Sequence, residues 1–112
     1  MAIYSNLTVD QGSTFGAEID VTDSSGDPLD LNGYTVEGQL RKTYTSTTST
    51  PFTSSVFNAS GGVVKIALSA TTTNALKAGR YVYDVEITKT STSEITRIIE
   101  GQLEVRPGVT RA

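Results

Sequence analysis

The chain has no cysteine, no histidine and no tryptophan. The first absence excludes a disulfide framework and thiol chemistry, and it suits a reducing compartment or assembly in one. The second removes the commonest metal ligand and the side chain best matched to proton transfer near neutral pH. The third leaves five Tyr and three Phe as the aromatic complement, which is thin for a sugar-stacking platform. An excess of one charge is also missing. Nine Lys and Arg are interspersed with twelve Asp and Glu, for a net charge of -3, so there is no electrostatic footprint for nucleic acid. No apolar run approaches the ~18 residues that would cross a bilayer. The opening segment, MAIYSNLTVDQG, lacks the basic and apolar regions of a signal peptide. These absences lead us to expect a soluble, non-secreted domain with no cofactor, no metal, and neither nucleic acid nor membrane as partner. At 112 residues it is expected to be a single domain, able to bury roughly two-thirds of its unfolded surface without staples.

What the chain does contain is a period of two. In TFGAEIDV, Phe15, Ala17, Ile19 and Val21 fall on one face. Tyr34, Val36, Gly38 and Leu40 repeat this, as do Val64, Ile66 and Leu68. Tyr81, Tyr83, Val85 and Ile87 follow, then Ile99, Gly101, Leu103 and Val105. MAIYSNLTV supplies a first strand through Ile3, Leu7 and Val9. Because successive strand side chains point to opposite faces, each segment offers one buried and one wet face. That pattern belongs to antiparallel sheets packed in two layers, not to parallel strands covered by helices. Turn chemistry punctuates it at DSSGDP, LNG and NASGG, and at KTSTSE, which reads as the hairpin loop between the last two long strands. The expected fold is all-β, an immunoglobulin-like antiparallel β-sandwich of six to eight strands. The expected core is Phe15, Ile19, Val36, Leu40, Ile66, Leu68, Tyr83, Val85, Ile99 and Leu103.

Two segments break the rhythm. SATTTNALKAG, residues 69–79, offers a capping Ser69 and a glycine placed as a helix C-cap, so one short helical turn is expected before the Tyr81 strand. The run TYTSTTSTPFTSS, residues 43–55, reads as a mobile hairpin or an edge strand, where Pro51 is tolerated.

Few motifs carry chemistry. Gly79, Tyr81 and Tyr83 match the spacing of the immunoglobulin-like corner, with Tyr83 where antibody domains place a cysteine. They are read as a structural corner; the functional alternative is a tyrosine-lined binding face. Asp84 and Glu86 share a strand face, as do Glu100, Gln102 and Glu104, yet these faces lie opposite the apolar set, where charges solvate a sheet. No histidine activates any of the serines or threonines, so the chain is expected not to be an enzyme. DSSGD places oxygen ligands around a glycine but lacks the spacing and distal glutamate of a calcium loop.

Several stretches together carry a resemblance: DQGSTF, PLDLNGYTVEGQLR, AGRYVYDVEI and EGQLEVRPGVTR. With these the chain resembles small virion structural proteins of tailed bacteriophages, many of them from cyanophages, over nearly its whole length. A looser similarity runs to the N-terminal, immunoglobulin-like domain of phage baseplate upper proteins, through the D-x-x-G-x-P-x-D-L-x-G-Y pattern of Asp23 to Tyr34. The coiled coil and receptor-binding module of the baseplate type do not follow, which favours a free-standing domain.

The resemblance implies a non-enzymatic structural protein assembled in the host bacterial cytoplasm and located in the virion. The expected role is capsid decoration or cement, as a homo-oligomer or in many copies, against the major capsid protein. A tail, neck or baseplate adaptor is the alternative, and a carbohydrate-binding adhesion module is a second. Contacts of this kind need about 1,000 Å² of buried area, which short terminal arms, 1–5 and 106–112, supply with few residues. The expected interface residues are Ala2, Ile3 and Tyr4, then Thr45, Thr47 and Phe52 in the Thr/Ser run, and Val109 and Arg111.

Overall fold

The two-residue period builds two facing β-sheets, seen in a computed structural model that describes residues 3–109. The larger sheet contains β1 (Ile3–Tyr4), β2 (Leu7–Asp10), β4 (Tyr34–Arg41), β5 (Thr50–Pro51), β8 (Gly79–Lys89) and β9 (Glu94–Arg106). Its strand order is β1-β9-β8-β4-β5, with β2 also on β9. The smaller sheet contains β3 (Phe15–Asp20), β6 (Thr53–Asn58) and β7 (Val63–Leu68), in the order β3-β7-β6. The order β3-β7-β6 facing β9-β8-β4 is the immunoglobulin sandwich plan, as expected.

One part of the expectation changes. The sheets are not wholly antiparallel, because β1 and β2 both run parallel to β9. Parallel neighbours need a long connection, and here the rest of the domain is that connection. The chain leaves β2 and crosses directly to β3 in the opposite sheet instead of turning back beside β9. The nine strand segments also reduce to eight strands. Ile3 pairs with Ile99 and Leu7 with Leu103, so β1 and β2 keep one register along β9 and form a single strand interrupted at Ser5 and Asn6.

Eight of the ten expected core residues are buried, while Phe15 and Val36 are half-buried at the margin. A β-bulge adds one residue to the account. Val85 pairs with Ile99 but Glu86 pairs with Arg97, leaving Ile98 as the extra residue. The bulge reverses the inward parity of β9, so the adjacent Ile98 and Ile99 are both buried.

Phe52 requires a correction: it was expected at an interface and is 6% exposed. Pro51 lies in β5 of the larger sheet and Thr53 begins β6 of the smaller one, so residue 52 is where the chain changes sheets. A side chain at that crossing enters the space between the layers. The Phe52 ring sits 6.3 Å from the Phe15 ring and 6.1 Å, edge-on, from the Tyr83 ring. Its backbone N–H donates to Gly38 O at 2.9 Å, and a Cβ on Gly38 would lie 3.1 Å from the Phe52 ring. Glycine at 38 therefore makes room for the crossing. The Thr/Ser run thus holds a loop, an edge strand bearing Pro51, and the first half of the edge strand β6.

The helical turn is α1 (Ala70–Ala75), and Ser69 caps it by accepting from Thr72 N. Gly79 is not its C-cap. The helix ends at Leu76, whose N–H bonds Thr73 O, and Gly79 is already in β8 opposite Val105. Thr73, fully buried, donates to Ser13 O at 2.8 Å and so ties the helix to the β2–β3 turn.

Replacing Phe52 by Ala removes the ring that bridges the layers. The expected loss is about 3–5 kcal/mol in chemical denaturation, against about 1 kcal/mol or less for a surface residue.

Candidate functional site

At the Gly79–Tyr83 corner both tyrosine hydroxyls are bonded to backbone carbonyls. Tyr81, half-buried, donates its hydroxyl to Lys77 O at 2.8 Å, closing the loop four residues upstream as a tyrosine corner does. The ammonium of Lys42 lies 4.9 Å from the centre of the Tyr81 ring. Tyr83 is buried and reaches further. It pairs with Gly101 on β9 and donates to Ser5 O at 2.5 Å, at the interruption between β1 and β2. A Cβ at position 101 would collide with that same Ser5 carbonyl. Ser5 N donates to Glu100 O, and Asn6 Oδ1 accepts from Gln102 N, replacing the ladder bond lost at the interruption. Burial pushes the Tyr83 phenol up to about 12.

That junction places the expected N-terminal contact residues. Ile3 and Tyr4 are 55% and 64% exposed, although they are strand residues of an ordered sheet edge. The expected arm 1–5 is therefore part of the sheet from residue 3 onward. Thr45 and Thr47 are exposed in the loop between β4 and β5. Val109 is 94% exposed beyond Gly108, whose N–H donates to Gln11 Oε1. Ala2 and Arg111 lie outside the described residues. The structure does not gather these positions into one patch: β1 lies beside the middle of β9, at Ile99 and Glu100, and residue 109 lies beyond the end of β9 at Arg106.

The sheet carboxylates face outward, as their parity requires. Asp84 and Glu100 are register neighbours across β8 and β9, and Arg97 bonds both, at 3.3 and 3.4 Å. They share a guanidinium on an open face. In the Asp23–Asp27 turn, the Asp23 carboxylate accepts from Ser25 N and Asp27 N, so it is used by its own backbone. Among the described residues, no group of three or more acidic side chains is placed to hold a metal ion.

Two features escaped the sequence reading. Tyr44 is 74% exposed at the tip of the Thr43–Ser46 turn, and Phe57 is exposed on β6. Tyr44 sits in a low-complexity run with no periodicity to assign it a face.

No family model matches the chain, and no curated protein matches it. Among solved structures it is similar to InlP of Listeria monocytogenes, with a TM-score of 0.50 and 16% identity, over 94% of this chain and 28% of that one. It is also similar to a family 123 glycoside hydrolase from Clostridium perfringens, with a TM-score of 0.44 and 15% identity, over 96% of this chain and 24% of that one. The chain spans about a quarter of the length of these two proteins. The first likeness is one of fold alone, and the second carries no argument.

The Tyr83 junction generates a pH prediction. The folded phenol titrates at about 12 and the unfolded one at 10.0, so the folded state favours the neutral form. This stabilisation is complete below the unfolded value and is lost as pH rises toward the folded one. Tyr83→Phe should lose about 0.5–1.5 kcal/mol at neutral pH, from the missing hydrogen bond. In urea melts between pH 10 and 12, it should also remove the part of the decline that Tyr83 contributes. An identical decline in both proteins would contradict the assignment.

Proposed function

We propose that this chain is a non-enzymatic structural protein of a tailed-bacteriophage virion. It decorates or cements the capsid by binding neighbouring subunits through its sheet edges. The reading is supported by the sequence resemblance. The observation that carries it is an exposed aliphatic and an exposed aromatic side chain, Ile3 and Tyr4, on the outermost strand of an ordered sheet. An edge strand presents unpaired backbone groups, and natural sheets usually protect theirs with charge or proline. Here β1 bears neither, and β6, an edge of the smaller sheet, has no charged residue in Thr53–Asn58. Such edges are ready to be covered by a partner strand. A homo-oligomer that meets several lattice sites at once lets each contact be small, because linked sites raise avidity.

The test is incorporation into particles. Ile3→Asp places a charge at the edge without entering the core, so the folded monomer should persist by circular dichroism. Its copy number in purified particles, measured by quantitative mass spectrometry, should fall at least tenfold. Unchanged incorporation would overturn the edge-docking account. The wild-type copy number checks the location: hundreds per particle fit capsid decoration, and about a dozen would place the protein in the tail instead.

A further inference from the structure

The outer face of the larger sheet carries a groove that the virion reading does not use. Gln39 and Arg41 of β4, Tyr44, Asp84 of β8, and Arg97 and Glu100 of β9 line it, over a floor at Val82. Gln39 pairs with Asp84, and Asp84 with Glu100, so three hydrogen-bonding side chains lie in one row across three strands.

From this arrangement we propose that the groove is a binding site for a neutral saccharide. Three properties point to that ligand class.

The first is charge. Arg41 and Arg97 balance Asp84 and Glu100, so the lining is strongly polar but formally neutral. An anionic ligand would meet the two carboxylates and a cationic one the two guanidinium groups. A polyhydroxylated neutral ligand suits both. Its hydroxyl groups donate to Asp84, Glu100 and the Gln39 carbonyl, and accept from guanidinium N–H groups.

The second is the exposed ring. Tyr44 stands beside these polar groups, 74% exposed. A sugar ring has an apolar C–H face as well as hydroxyl edges, and an aromatic face covers the former while planar polar side chains take the latter.

The third is preorganisation. Arg41 Nη1 donates to Ser46 O at 2.7 Å, and its Nη2 donates to Gln39 Oε1 at 3.1 Å. Ser46 N bonds Thr43 O, and Thr43 N bonds Ser46 Oγ, closing the turn that carries Tyr44. One guanidinium thus holds both the turn under the aromatic ring and the amide of Gln39. Arg97 is held in turn between Asp84 and Glu100. Groups already fixed before the ligand arrives lose less entropy on binding.

This inference does not depend on the virion reading, since the groove and the β1 edge use different residues. The experiment is an array of neutral glucans, mannans and galactans beside sulfated and uronic polysaccharides, followed by NMR titration of the best neutral binder. We expect a neutral glycan to bind, with shifts at Gln39, Tyr44, Val82, Asp84 and Arg97. Tyr44→Ala, a change at an exposed turn, should weaken binding at least tenfold, and Asp84→Asn should weaken it too. Phe57→Ala, which removes an exposed ring from the opposite sheet, should leave binding unchanged. Absence of any neutral binder, binding of the acidic polysaccharides alone, or full affinity in Tyr44→Ala would overturn the proposal.

Discussion

The hydrogen bond from the Tyr83 hydroxyl to the Ser5 carbonyl joins the interior of the sandwich to its outermost strand. A buried phenol needs an acceptor for its hydroxyl hydrogen. The acceptor comes from a third strand, reached across Gly101, where any side chain would strike Ser5. The contact falls where the N-terminal strand is interrupted, at Ser5 and Asn6, and the Asn6 side chain takes the place of the lost ladder bond. On either side of that contact β1 and β2 keep one register along β9, which leaves Ile3 and Tyr4 exposed on the outermost strand.

A second constraint works in the plane between the layers. Phe15, Phe52 and Tyr83 form a chain of aromatic contacts from the smaller sheet to the larger. The middle ring belongs to the residue at which the backbone passes from one sheet to the other. The junction of β5 and β6 is thereby anchored in the core, while the loop before it remains on the surface with Tyr44. One low-complexity run thus contributes both a buried ring that holds the layers together and an exposed ring beside a polar groove.

Much of the fold was legible because alternation is a local signal. Strands β3, β4, β7 and β8 could be read from parity alone, and parity also placed Tyr83, Val85 and Ile87 inward. Three features were not legible, each for a physical reason. The parallel pairing of β1 and β2 with β9 joins residues 96 apart in the chain, which no local period encodes. The bulge at Ile98 changes parity within a continuous apolar pair, which looks the same in sequence whether or not the strand is regular. Phe52 lies between Pro51 and Thr53, where flanking polarity argues for exposure, and only the sheet crossing turns it inward. For the surface, Ile3 and Tyr4 were expected as contact residues from their position near the terminus, and the structure shows them exposed. The groove was not, because its residues come from three strands and one loop.

The Tyr83–Ser5 contact over Gly101 holds the N-terminal strand in place. Native-state amide hydrogen exchange on the Gly101→Ala variant tests it most directly. The added methyl group should displace Ser5, so the amides of Ser5 and of Leu7–Val9 should lose protection by at least tenfold, while those of Ile66 and Ile19 in the smaller sheet keep theirs. Protection unchanged at Ser5 and Leu7–Val9, or lost equally throughout both sheets, would contradict the account.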